Sequence, residues 1–346
     1  MAIFTAVNIA YLCNKPDNEP TTPKIEERIH RARLLFAGDL MMHSPQLRVA
    51  QREDGSYDFY PMFEHVAPLF SNADYAVVNL ETTLSENSFS GYPMFRSPRE
   101  VAVALSRMGV DVATTANNHS CDGGREGVIV TAKTLDSLGI GRTGVFCDSL
   151  DYAERNPIRF SIDSISFALY AYTYSTNGMP IPHGCRVNLT DTTKMADDLR
   201  RADAEVVIVS IHWGDEYQRT PSQAQRQMAD FIHRNGVDII VGSHPHVIQP
   251  IEADSERITI YSLGNFISNQ RWRYSNGGLL AQIDIEKGSD SNPQFTLTTH
   301  PVWVMMPDYK VVPRHVADTI EMDSDQRLLY EEFISDTDSL ICGLHF

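Results

Sequence analysis

The residues with the most chemical potential in this chain are Asp39, Asn79, Glu81, Asn118, His119, His212, His244 and His246. Each stands just after, or at the end of, a short apolar run. Together they offer carboxylate, imidazole and amide-oxygen donors and no thiolate, a set that suits Mn²⁺, Fe²⁺ or Zn²⁺. The set is too large for one tetrahedral site and fits two divalent ions that share a carboxylate. Paired ions of this kind lie ~3.5–4 Å apart, make hydroxide available near neutral pH, and clamp a phosphoryl or carbonyl oxygen. A neighbouring histidine can then protonate the leaving group, which contributes roughly 10²–10⁴-fold. Asp39 and Glu81 bring −2 and two divalent ions bring +4, a local sum of +2 that suits a small anionic group.

Taken singly, each residue has a plainer explanation. A strand-end histidine is commonly a satisfied polar residue, Asp39 after Gly38 can cap a turn, and Glu81 can pair on the surface. His244-Pro245-His246 is harder to dismiss. On an extended chain residues i and i+2 share a face, and two neutral imidazoles side by side have little packing rationale. His43 and His183 fall in loops that could reach such a site, without a specific signal.

These residues must be positioned by an α/β alternation. Leu34–Ala37, Tyr75–Val78, Val110–Thr114, Val206–Val209 and Asp238–Val241 read as buried strands. Helical spacing covers Phe63–Phe70, Glu100–Met108, Glu126–Leu138, Asp191–Arg201 and Gln223–Arg234, with Gly109 and Gly139 as stops. Arg159–Ile162 and Ser166–Tyr172 alternate like an antiparallel pair. Strands dominate after Val247, over Arg257–Tyr261, Leu279–Ile285 and Phe295–Val304. Active sites of α/β sheets gather at the carboxyl ends of strands, so these strand ends can meet at one point.

Six segments, in order, then resemble one family: Ala37-Gly38-Asp39-Leu40-Met41, Val78-Asn79-Leu80-Glu81, Ala116 to Gly123, Ile211 to Tyr217, Gly242 to Val247, and Tyr261 to Phe266. They are similar to the CapA/PgsA capsule-synthesis family, associated with poly-γ-glutamate and related to calcineurin-like metallophosphatases. The resemblance spans about Arg33 to Val304. It implies an α/β fold, a four-layer α/β/β/α metallophosphatase-like sandwich of two mixed sheets flanked by helices. It also implies a dinuclear site. Asp39 would bind the first ion, and Glu81 would bridge or bind the second with Asn79 beside it. Asn118 would be a ligand, His212 and His244 would hold one ion, and His246 the other. His119 would donate the proton, with Asp122 joined to it as the other catalytic candidate. Arg96, Asn117, Trp213 and Asn265 are the remaining substrate or supporting candidates. Two departures from the wider metallophosphatase pattern stand out: Met41 replaces the usual histidine of Asp-x-His, and the Asn79/Glu81 segment replaces the usual second aspartate.

Composition bounds the function. With 29 Lys+Arg against 45 Asp+Glu the net charge is 29 − 45 = −16, so no global field draws the chain to nucleic acid or anionic lipid. Part of that charge lies in an acidic tail over 314–346, expected to be a solvated helix or loosely packed, which leaves 33–313 as one domain. Residues 1–32 form an N-terminal segment whose apolar Ala2–Cys13 weakly resembles a signal, so both a cytoplasmic and a cell-envelope address stay open. Five widely spaced cysteines without a CxxC pair argue for free thiols rather than a disulfide framework. Two functions follow: a metal-dependent hydrolase of a small anionic or polyanionic phosphoester or γ-glutamyl-type substrate, or a non-catalytic accessory of cell-envelope polymer synthesis and export machinery.

Overall fold

The computed structural model describes residues 28–289 and 291–341. The apolar N-terminal stretch, Cys13 and Cys342 lie outside them. No helix among the described residues is long and apolar enough to cross a membrane.

Two mixed sheets stack face to face. In the first, the spatial order is Lys310–Pro313, Gln294–Met305, Gly277–Lys287, His30–Leu40, Tyr75–Leu80, Val112–Thr114 and Gly141–Thr143, with Asn265–Ile267 also paired to His30–Leu40. The order in the second is Ile251–Ala253, Ile258–Ile260, Ile239–Ser243, Val206–His212, Ile165–Thr173 and Ile158–Ile162. Each holds a parallel centre with antiparallel neighbours.

Strand alternation builds the layers. In His30–Leu40, Leu34 and Phe36 face the second sheet, and Leu35 and Ala37 face the helices on the other side. In Val206–His212, Val206 and Ile208 point inward to the first sheet while Val207 and Val209 pack under the helices Thr192–Leu199 and Gln223–Arg234. Helix Glu100–Met108 buries Val101, Leu105 and Met108 against the outer face of the first sheet, and Gly109 at φ 96° ends it. The result is the four-layer α/β/β/α sandwich.

Some elements depart from the sequence reading. Phe63–Phe70 is not a continuous helix: a turn of 3-10 helix at Tyr60–Met62 is followed by a short helix at Ala67–Ser71. Pro68 sits in the first turn of that helix, where its missing N–H costs nothing, and cannot lie further inside one. The acidic C-terminal segment is not a loose tail over its described length. Helix Ser324–Ile341 buries Tyr330, Phe333 and Ile334 against the Trp303 side of the first sheet. Two of its carboxylates meet cations, Asp336 with Arg273 at 2.9 Å and Asp338 with Arg314 at 2.8 Å.

Candidate metal centre

The carboxyl ends of the central strands of both sheets meet, and they carry the chemistry. Asp39 lies near the end of His30–Leu40, beside Asn79 in the neighbouring parallel strand and Asn265 on the other side. The register slips between Ala37 and Asp39. Gly38 is needed there: a Cβ would sit 2.1 Å from the Gly264 carbonyl oxygen. Glu81 follows directly after Tyr75–Leu80, Asn118 and His119 lie in the loop after Val112–Thr114, and His212 ends its strand. His244 follows Ile239–Ser243, where Gly242 lets the Tyr261 carbonyl pass at 2.0 Å from its absent Cβ.

The extended-chain argument for His244 and His246 fails in its detail. Both residues have positive φ, 98° and 57°, which is unusual for residues other than glycine. Their rings nevertheless lie 5.8 Å apart. Backbone strain of this kind persists where surrounding contacts enforce it. Here the His244 N–H donates to Asp39 Oδ2 at 3.1 Å, and the Pro245 carbonyl accepts from Tyr217 N–H at 2.8 Å.

Two groups of donors come within 4.8 Å of one another: Asp39, Glu81 and His212, and Glu81, His244 and His246. Glu81 belongs to both. The resemblance implies His212 and His244 on one ion, and His244 Nδ1 lies 3.2 Å from His212 Nε2. His246 Nδ1 lies 3.0 Å from Asp39 Oδ2, and Asn118 Oδ1 lies 2.9 Å from His212 Nε2. Supporting contacts orient the donors, as is usual around metal ligands. Asn79 Nδ2 donates to Asp39 Oδ1 at 2.8 Å, Ser243 Oγ lies 2.9 Å from His212 Nδ1, and Asn117 Nδ2 donates to Asn79 Oδ1 at 3.3 Å.

Glu81 provides the test of whether this cradle fits cations. Its side chain is fully buried, and both carboxylate oxygens lack a hydrogen-bond partner. Burial, reinforced by the Asp39 charge, pushes its carboxyl well above the usual range. Opposite it, burial pushes His244 down to about 3 and His212 well down, each reinforced by neighbouring imidazoles. Neutral imidazoles and an orphaned carboxylate are what divalent ions require as ligands.

A second unit adjoins the first. His119 Nδ1 lies 2.7 Å from Asp122 Oδ2, which also accepts from the Phe95 N–H at 2.6 Å. The imidazole edge packs against Phe95 at 4.6 Å. His119 and His246 both line a cleft of about 380 Å³, shared with Tyr92, Glu216, Tyr217 and Trp272. With Nδ1 engaged, a proton held on Nε2 can be delivered into that cleft.

Other candidates sit elsewhere. Arg96 directs its guanidinium to the Asp122 carbonyl, with contacts of 3.3 and 3.4 Å, and does not line the cleft. Trp213 is core: it is buried and its indole N–H donates to the Tyr261 carbonyl at 2.9 Å. Asn265 is fully buried and ties the His246 carbonyl to Gln270 and Ser275. Met41 lines the cleft beside His43. His43, named from sequence as a loop histidine that could reach the site, does line the cleft, whereas Tyr92, Glu216, Tyr217 and Trp272 were not selected from sequence. Glu216 and Tyr217 stand inside the His212 segment and could have been found there, whereas Tyr92 and Trp272 sit in loops with no local signal.

The sequence profile of the family described as Bacterial capsule synthesis protein PGA_cap matches residues 33–270, which contain all of the candidate metal-ligand residues together with His119 and Asp122. The chain belongs to that family. Among curated PGA_cap relatives, the capsule biosynthesis protein CapA of Bacillus anthracis is 29% identical over 280 residues, covering 77% of this chain and 67% of that protein. The PGA biosynthesis protein CapA of Bacillus subtilis is 28% identical over 274 residues, covering 75% and 70%. A solved structure titled a novel phosphatase, from Mycoplasma pneumoniae, superposes with a TM-score of 0.50 at 14% identity over 85% of this chain and 98% of that one. That likeness is one of fold and agrees with the four-layer sandwich of this PGA_cap chain.

Proposed function

We propose that this PGA_cap protein is a metal-dependent hydrolase with two divalent ions, acting on a phosphoester or γ-glutamyl-type bond in cell-envelope polymer metabolism. The observation that carries this reading is Glu81, a fully buried carboxylate with both oxygens unpartnered at the junction of two donor groups. Asp39, Glu81, His212, His244 and His246 would hold the ions, with Asn118 beside them. Divalent ions, when bound there, supply Lewis acidity and activate water.

The chain's own residues supply the rest. Asn79 fixes one oxygen of Asp39 and leaves the other toward His246. Asp122 holds His119 in the tautomer with hydrogen on Nδ1 when the imidazole is neutral, and stabilises the imidazolium that can donate from Nε2. The Phe95 N–H keeps the Asp122 carboxylate turned toward that ring. The names of the relatives support a role in capsule or PGA production.

The test is metal analysis of the purified full chain, followed by Mn²⁺ loading and assay on phosphomonoester, phosphodiester and poly-γ-glutamate substrates. Turnover that falls with His119→Ala while metal content stays, and with His244→Ala as metal content falls, supports the enzyme. Full metal occupancy without turnover on any of the three supports the accessory role instead. A protein that binds no ion refutes the metal centre.

A further inference from the structure

The cleft beside His119 and His246 has a composition that the proposed hydrolysis does not require. Trp272 and Tyr92 are 57% and 74% exposed, although large aromatic side chains are normally withdrawn from water. Both line the cleft. Tyr217 stands between this outer wall and the donors: its ring is 5.5 Å from Trp272, edge to face, and 6.1 Å from His246. Its position is fixed by its N–H on the Pro245 carbonyl and by Gln270 Nε2, which donates to its hydroxyl at 3.1 Å. The adjacent Glu216 brings an exposed carboxylate into the same cleft, and none of the described lining residues is a lysine or arginine.

An anionic chain would find its second contact here repelled by Glu216. Three aromatic rings and one carboxylate instead match a cation. An ammonium group is attracted to aromatic faces, most strongly to tryptophan, and an adjacent carboxylate adds to that attraction. We infer that the outer cleft is an ammonium-binding subsite formed by Tyr92, Glu216, Tyr217 and Trp272. The preferred substrate is then zwitterionic, its ammonium group seated there and its scissile anionic or carbonyl group at the donor cluster. The inference rests on the hydrolase reading for the second half of that statement only; the subsite itself is a binding property of this chain.

Binding is measured first, without catalysis. The metal-stripped full chain is titrated with choline and with its neutral isostere 3,3-dimethylbutan-1-ol, followed by tryptophan fluorescence. Trp272 is the exposed indole, while Trp213 and Trp303 are each only 3% exposed, so the signal reports the cleft. Choline should give a saturable change, and the isostere should bind roughly tenfold more weakly. Glu216→Gln should weaken choline by a similar factor, and Trp272→Ala should abolish binding measured by calorimetry. Equal binding of choline and isostere, or choline affinity unchanged in both variants, overturns the inference.

The kinetic arm compares 4-nitrophenyl phosphorylcholine with ethyl 4-nitrophenyl phosphate on Mn²⁺-loaded protein. The choline ester should show the lower KM by about tenfold, and Glu216→Gln should narrow the ratio. Choline binding without turnover of either ester refutes the phosphodiester form of the hydrolase reading and leaves the subsite standing. Turnover of both esters with equal KM and no choline binding does the reverse.

Discussion

Replacing Glu81 by glutamine should stabilise the metal-free protein near neutral pH and remove most of the stabilisation that metal adds. The carboxyl is raised by burial and by Asp39, so its folded pKa lies above the unfolded value near 4.5. A group raised in this way favours the folded state most below the unfolded pKa, and that advantage is lost as pH rises toward the folded pKa. In the metal-free protein each pH unit above 4.5 therefore costs about 1.4 kcal/mol until the folded pKa is reached. Glutamine has nearly the same shape and no charge to bury. Its own unpaired amide costs about 1–3 kcal/mol, much as the protonated carboxyl does. Glu81→Gln should accordingly match the wild type near pH 4.5 and become progressively more stable than it toward neutral pH. With Mn²⁺ the difference narrows, and within about two pH units of 4.5 it reverses. Wild type gains about 2.7 kcal/mol at a metal concentration 100 times Kd, and the variant loses most of that gain because both donor groups contain Glu81. Thermal denaturation with EDTA and with Mn²⁺, from pH 5 to 8, measures both arms. A variant less stable than wild type without metal at pH 7.5, or one that keeps the full Mn²⁺ shift, would refute the reasoning from an orphaned buried carboxylate.

Four further outcomes follow from other parts of the molecule. Asp122→Asn should lower kcat by roughly 10²–10³-fold with bound metal unchanged, since it removes the partner that orients His119; an unaltered kcat would remove His119 from proton transfer. Burial holds His43 down at about 4, against 6.5 when free, so its stabilising effect is complete above pH 6.5 and is lost as pH falls toward 4. The total is about 3 kcal/mol, and His43→Gln should flatten the urea-midpoint profile across that window. Phe333→Ala should cost about 3–5 kcal/mol by opening a cavity against the sheet; a loss under 1 kcal/mol in urea unfolding would mean that the C-terminal helix is not docked. Gly242→Ala should prevent metal binding or folding, because its Cβ meets the Tyr261 carbonyl carbon and oxygen at 2.7 and 2.0 Å, and unchanged metal content by elemental analysis would contradict that close approach.

Much of this architecture was legible in the sequence because it rests on short-range periodicity. Helices Glu100–Met108 and Gln223–Arg234 have the bounds that their apolar spacing and flanking residues indicate. The strand cores follow from β-rich apolar runs, and the metal-capable residues were visible because each such run ends in one. Where local sequence was ambiguous, packing decided. The Phe63–Phe70 stretch carries a helical pattern that Pro68 restricts to one short turn. The acidic segment over 314–346 looked soluble by charge count, yet Tyr330, Phe333 and Ile334 recur on one face and find the sheet.

By itself the sequence determined the donor types, their order along the chain, the alternation that carries them and a family signature over most of its length. Only the tertiary structure decided which donors stand together, because that depends on how two sheets bring strand ends from distant positions to one place. It gathered Asp39, His212, His244 and His246 around a shared Glu81. It turned the backbone at His244 and His246 to positive φ, which no two-residue periodicity anticipates. It also brought Tyr92 and Trp272, which carry no local signal, to the rim of the same cleft as Glu216. Local sequence encodes the strands and helices, but contacts between residues more than two hundred positions apart, such as Asp39 and His246, are fixed by the packing of the layers.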